Sequence, residues 1–212
     1  MMQTDDLIES LAAGLQPVRP LHPPLRRGLA WLGCIGALGL LAVLRYANLT
    51  MFLQRWEVTR IAFECIGSAL TAMTAILAAF QLSVPDRSQR WAWLPLPPLL
   101  LWLGASGLGC LQNGWGLRSA HSSESPGCFT FIAALSVPLG ITLFGMLRRA
   151  RPIAPLPVAA LGALGIAATS ATVLQFFHPF DITVLDLAFH LAAVALVIFA
   201  SALLRRPLLS AP

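Results

Sequence analysis

The stretch IAFECIGSALTAMTAILAAFQLSV, residues 61–84, decides the fold class. It carries one charged side chain, Glu64, and is otherwise made almost entirely of apolar and small residues. A helix that crosses a bilayer needs about 20 consecutive, mostly apolar residues. The length and hydropathy of this stretch therefore predict a membrane-spanning helix.

Five further stretches have a similar character, at residues 28–44, 91–111, 129–147, 153–177 and 184–204. Over the whole chain 57% of residues are hydrophobic and 11% are charged, whereas soluble domains have about 25% charged residues. We therefore predict an all-α membrane protein with a six-transmembrane-helix bundle over residues 28–206. The prolines of PLPP, residues 95–98, should kink or delay the third helix.

The arginines predict the orientation of this bundle. All 14 basic residues are arginines, and the net charge is +5. They occur in short clusters beside the apolar stretches, which is typical of membrane topology and does not indicate direct nucleic-acid binding. One side of the predicted bundle receives Arg19, Arg26, Arg27, Arg87, Arg90, Arg148, Arg149, Arg151, Arg205 and Arg206, and the other receives Arg45, Arg55, Arg60 and Arg118. The positive-inside rule then places both termini, including a short tail at 207–212, in the cytoplasm.

Residues 1–27 are expected to be cytoplasmic and to begin with a short amphipathic helix. Thr4 suits an N-cap, and acidic residues in the first turn suit the helix dipole. At 100° per residue one face carries the apolar side chains and the opposite face carries the acids. The predicted binding face and its surroundings comprise Thr4, Asp5, Asp6, Leu7, Ile8, Glu9, Leu11 and Leu15.

A helix this short is only marginally stable alone in water. Its apolar face therefore needs a partner. The helix could lie on lipid, but membrane-surface helices are usually basic and this one is acidic. It could instead dock into a groove of a cytoplasmic protein with a basic surface. The proline-rich linker RPLHPPLRR, residues 19–27, should hold it at a distance from the bilayer.

Cys110 and Cys128 bracket the hydrophilic loop between the third and fourth predicted spans, on the outer side. In an oxidising compartment two such thiols can form a disulfide, which could be a permanent staple or a sensor of oxidant or thiophilic metal. Cys34 and Cys65 fall within spans and are expected to be small apolar fillers.

Three histidines, His121, His178 and His190, are weak candidates for metal ligands, because they lie in or near outer loops. The cysteine and histidine spacing matches no zinc pattern. The pairs Arg60–Glu64 and Asp186–His190 are four residues apart and can pair along a helix. Nucleophile-elbow, zinc-protease and phosphate-loop motifs are absent from the sequence. We therefore expect neither an enzyme nor a resident cofactor.

Several stretches together resemble a known family. They are TDDLIESLAAGLQPVRPL (4–21), FQLSVPDRSQRWAWLPLPPLLLWLGASGLGC (80–110), SPGCF (125–129), RRARPIAP (148–155), FHPFD (177–181) and LAFH (187–190). Their order and spacing are similar to those of the NrsF-like family of six-helix inner-membrane anti-sigma factors.

This resemblance implies a multi-pass protein of the bacterial inner membrane that holds an extracytoplasmic-function (ECF) sigma factor inactive. It implies that the segment Thr4–Leu15 binds the sigma factor, and that Cys110 and Cys128 respond to heavy-metal or redox stress. Two alternatives stay open. One is a thiol or quinone redox enzyme that uses Cys110 and Cys128 with His178 or His190. The other is a small-solute transporter.

Overall fold

The computed structural model describes residues 4–13, 20–113, 125–177, 184–205 and 209. Every regular element within these residues is helical, so the all-α prediction is confirmed for this part of the chain. The α-helices are α1 (Thr4–Ala13), α2 (Pro24–Tyr46), α3 (Leu49–Trp56), α4 (Thr59–Leu82), α5 (Leu96–Asn113), α6 (Ser125–Arg148), α7 (Pro155–Leu174) and α8 (Val184–Leu203). A 3₁₀ helix, Gln89–Trp93, precedes α5.

Within the described residues, five helical segments are long and apolar enough to cross a membrane, and they coincide with the first five predicted spans. These segments are Pro24–Tyr46, Thr59–Leu82, Gln89–Gly109, Phe129–Arg148 and Pro155–Leu174. The sixth predicted span, 184–204, coincides with α8, where the stretch Leu191–Leu203 is a shorter apolar helix. The count of six spans therefore stays a prediction.

Prolines set where the helices begin. Pro24 and Pro155 are the first residues of α2 and α7, a position where the missing N–H group has no intrahelical partner to lose. The predicted delay at PLPP is confirmed, because α5 begins only at Leu96, after the 3₁₀ helix and a turn. Pro97 and Pro98 then lie in the first turn of α5, where proline is tolerated.

The centre of the bundle is the pair α4 and α7. Helix α4 also packs against α2 and α5, and α7 also packs against α6 and α8. Contact is close because small residues face the partner: a Cβ added at Gly165 of α7 would collide with Ile76 of α4. Thr172 Oγ1 donates a hydrogen bond of 3.0 Å to Ser68 Oγ across the same interface. Small residues and side-chain hydrogen bonds are typical of helix packing within membranes.

The helix ends form two opposite ends of the bundle. The arginine-rich end consists of the start of α2, the end of α4, the 3₁₀ helix, the end of α6, the start of α7 and the end of α8. Its buried cluster includes Trp31, Phe80, Leu147, Val158 and Leu209. The cysteine end consists of the end of α2, α3, the start of α4, the end of α5, the start of α6 and the end of α7. The arginines assigned to one side by sequence thus lie at one end of the bundle wherever the structure describes them.

Two features at the helix surfaces differ from expectation. Helix α3 occupies the loop between the first two predicted spans, where no helix was predicted, and it carries the apolar residues Leu49, Phe52, Leu53 and Trp56. Cys65 is buried, as predicted, but Cys34 is exposed on α2. The prediction of a small core filler is therefore wrong for Cys34. Apolar residues on a span can face lipid as readily as protein.

Candidate functional site

Helix α1 carries the predicted partner-binding residues at the start of the chain. Thr4, Asp5, Asp6 and Glu9 are exposed, with both aspartates in the first turn. The apolar residues Ile8 and Leu11 are also exposed, by 59% and 64%. Leu15 and the side chain of Leu7 lie outside the described residues. Among the described residues of α1, the apolar side chains of Ile8 and Leu11 are therefore mostly exposed.

The linker from α1 reaches the bundle at Arg27, in the first turn of α2. Its guanidinium donates a hydrogen bond from Nη2 to the carbonyl oxygen of Met146, near the end of α6. Its Cζ also lies 5.2 Å from the centroid of the Phe80 ring, at the end of α4. A cation suits the carboxyl end of a helix, where carbonyl groups lack intrahelical partners. Arg27 therefore ties the start of α2 to two other helices.

The neighbouring turn of α2 strengthens this attachment. Trp31 Nε1 donates a hydrogen bond of 3.1 Å to Thr142 Oγ1 of α6. Gly28 lets α2 approach α4, because a Cβ at this position would lie 3.0 Å from Leu77 Cδ2 and 3.2 Å from Phe80 Cδ2. The segment that leads to α1 is thus anchored in the arginine-rich end of the bundle.

At the cysteine end, a buried ion pair joins two turns of α4. Arg60 Nη1 lies 2.8 Å from Glu64 Oε1, and Glu64 is only 1% exposed. A charge inside a membrane protein is costly unless it is paired. The predicted Arg60–Glu64 pair is therefore confirmed.

The same guanidinium lies against α5. A Cβ added at Gly109 would collide with Arg60 Nη1 and would lie 2.9 Å from Arg60 Cζ. Glycine leaves the space that the guanidinium occupies at this point. The residue that follows Gly109 in α5 is Cys110, so the ion pair of α4 lies beside the helical turn that carries this cysteine.

Aromatic contacts hold the rest of the cysteine end together. The Phe52 ring of α3 stacks on Phe176, just after α7, with centroids 4.4 Å apart. The Phe131 ring of α6 lies 6.2 Å from that of Phe177. Through these contacts α3 and the start of α6 are attached to the end of α7.

The predicted sensing and metal residues are only partly described. The backbones of Cys110 and Cys128 belong to α5 and α6, and their side chains lie outside the described residues. The same holds for His121, His178 and the side chain of His190, so neither the disulfide nor a histidine site is tested. Among the described residues, no three of the His, Cys, Asp and Glu side chains form a group that could hold a metal ion.

Sequence reasoning missed two parts of this arrangement. Helix α3 had a signal, because Leu49, Phe52, Leu53 and Trp56 follow helical spacing, but the stretch is shorter than a membrane span. The contact between Arg60 and Gly109 had no such sequence signal, because a contact between separate helices is not visible in local residue spacing.

Comparison with known proteins adds the identity of the family. The family model described as NrsF, negative regulator of sigma F, matches residues 11–210 of the chain. No curated protein and no solved structure matches it. The matched region spans all the membrane helices and both ends of the bundle described above. The chain therefore belongs to the NrsF family of negative regulators of sigma F.

Proposed function

We propose that this protein is a membrane anti-sigma factor that sequesters an ECF sigma factor at the cytoplasmic face through α1. In this proposal Cys110 and Cys128 face the outside of a bacterial inner membrane and respond to metal or redox stress. Their response changes the bundle, and the sigma factor is released to RNA polymerase. The protein needs no catalytic step and no cofactor for this role.

The exposed apolar face of α1 is the observation that carries the proposal. Ile8 and Leu11 are mostly exposed although they are large and apolar. An amphipathic helix of this kind can place such residues in a hydrophobic groove of another protein. The acids Asp5, Asp6 and Glu9 would then meet a basic rim on the sigma factor.

The distribution of arginines supports the cytoplasmic location of α1. Arg26, Arg27, Arg87, Arg90 and Arg148 all belong to the arginine-rich end, which also receives the linker from α1. Positively charged segments are retained on the cytoplasmic side during membrane insertion. The cysteine end would then face the oxidising side, where a thiol pair can act as a switch.

A co-purification experiment tests the contact. The full-length protein is extracted from membranes, and bound sigma factors are identified by mass spectrometry. The variant Ile8→Asp/Leu11→Asp places charges on the apolar face and should lose the sigma factor. The matched control Ala13→Asp adds a charge on the acidic face of the same helix and should keep it.

Two results would contradict the proposal. If the wild-type protein retains no sigma factor, α1 does not serve this purpose, and a lipid-surface role for the helix becomes the better explanation. If Ile8→Asp/Leu11→Asp retains as much sigma factor as Ala13→Asp, the contact lies elsewhere. The redox-enzyme alternative rests on Cys110, Cys128, His178 and His190, and it stays a prediction.

A further inference from the structure

We infer that Arg60 and Glu64 are positioning residues that hold the Cys110 end of α5 against α4. This inference rests on the proposed sensing role of the cysteines, and it identifies what sets the resting position of that site. It assigns a role to the most deeply buried carboxylate that the structure describes, which the sigma-factor contact does not use.

The burial of Glu64 requires an explanation. Glu64 is 1% exposed, inside a helix that is long and apolar enough to cross a membrane. A carboxylate at such a position is expensive, and ionisable residues within membrane segments usually serve a function. The pair with Arg60 keeps the charge compensated. It also fixes the direction of the Arg60 side chain, which points along α4 toward its partner.

The guanidinium fixed in this way lies against the backbone of α5. At Gly109 no side chain intervenes, and Arg60 Nη1 occupies the volume that a Cβ would need. Gly107, two residues earlier in the same helix, has open space around its Cβ position. The guanidinium of Arg60 therefore meets α5 at the turn that contains Gly109 and Cys110.

A second close contact joins α4 to α5 further along the two helices. A Cβ at Gly67 of α4 would lie 2.9 Å from the backbone nitrogen of Trp102 in α5. Helix α4 then continues without interruption to Phe80, which lies under the guanidinium of Arg27. A shift of the Cys110 turn relative to Arg60 would thus act on the helix that also supports the start of α2.

The rate at which a thiol reagent reaches Cys110 measures this restraint. The experiment uses membranes that contain the full-length protein but no sigma factor. The cysteines are first reduced, and the membranes are then treated with a membrane-impermeant maleimide. Labelling of Cys110 and Cys128 is followed separately by peptide mass spectrometry. Because no sigma factor is present, the result is independent of whether the proposed partner is correct.

Gly109→Ala is the main variant, because its methyl group displaces the end of a flexible arginine side chain and leaves both charges in place. Gly107→Ala is its matched control. Overpacking at this point opposes the close approach of α5 to Arg60, so the Cys110 labelling rate should rise about tenfold. Labelling of Cys128 should stay unchanged in both variants.

Variants of the ion pair separate positioning from general stability. Glu64→Gln removes the charge and should raise Cys110 labelling as Gly109→Ala does. Glu64→Asp retains the charge, so its Cys110 labelling rate should stay close to that of the wild-type protein. The inference is overturned if Gly109→Ala and Gly107→Ala label at the same rate. It is also overturned if Gly109→Ala raises the labelling rates of Cys110 and Cys128 equally, since that would indicate a general loosening of the bundle.

Discussion

The guanidinium of Arg27 lies over the ring of Phe80, with Cζ 5.2 Å from the ring centroid. The same group donates a hydrogen bond to the Met146 carbonyl oxygen. One side chain thus joins the first turn of α2 to the last turns of α4 and α6. It does so where the linker from α1 enters the bundle.

Replacing Arg27 with alanine should destabilise the bundle by about 2 kcal/mol, because a desolvated cation–π contact and a hydrogen bond are lost together. In a chain of this size that corresponds to a fall of roughly 4–8 °C in Tm, measured by thermal unfolding of the purified protein in detergent. Arg26→Ala is the control, because Arg26 is exposed and should change the stability by less than about 0.5 kcal/mol. Equal effects of the two variants would show that Arg27 is not an anchor.

Gly67→Ala should weaken the α4–α5 interface. Its methyl group would meet the backbone of Trp102, which cannot rotate away as a side chain can. Overpacking of this kind costs about 1–3 kcal/mol. Gly104→Ala, on α5, has nothing within 4 Å of its Cβ position and should be neutral or slightly stabilising, because alanine favours a helix. Thermal unfolding of both variants checks the difference, and a neutral Gly67→Ala would refute the contact.

The hydrogen bond between Trp31 and Thr142, 3.1 Å long, should appear as a coupling energy in a double-mutant cycle. Trp31→Phe and Thr142→Val should each be destabilising, and the double variant should cost less than their sum by about 0.5–1.5 kcal/mol. The measurement is thermal unfolding of the wild type, the two single variants and the double variant. Strict additivity would mean that the two side chains do not interact in the membrane protein.

The cysteine pair should control the stress response. In cells that carry a reporter gene under the cognate sigma factor, Cys110→Ser and Cys128→Ser should each abolish induction by a thiophilic metal or an oxidant. Cys34→Ser should leave induction intact, because Cys34 faces outward from a span. A normal response in the Cys110→Ser/Cys128→Ser variant would end the sensing hypothesis while leaving the sigma-factor contact untouched.

Length and hydropathy were sufficient to predict the first five spans, because a bilayer imposes a minimum apolar length on each helix. The PLPP motif predicted the late start of α5, since proline geometry acts locally. The Arg60–Glu64 pair was predictable for the same reason, because residues four apart always share a helix face. Each of these inferences needed only a short window of sequence.

The packing order was not predictable in this way. Helix α7 is apolar and small around its whole circumference, so no periodicity reveals that it lies against α4, α6 and α8. For Cys34 the same ambiguity produced an error, since lipid and protein are equally apolar neighbours. Helix α3 was overlooked because a helix that lies along a surface needs no minimum length.

The pairing of α4 with α7 has a consequence for biogenesis. The ribosome delivers α4 well before α7, with α5 and α6 in between. Until α7 enters the bilayer, the face of α4 that carries Ser68 and Ile76 lacks its partner, and lipid chains cannot supply the close contact at Ile76 or the hydrogen bond to Ser68. The centre of the bundle is therefore expected to assemble late in synthesis. The packing around α4 is completed only when α7 inserts.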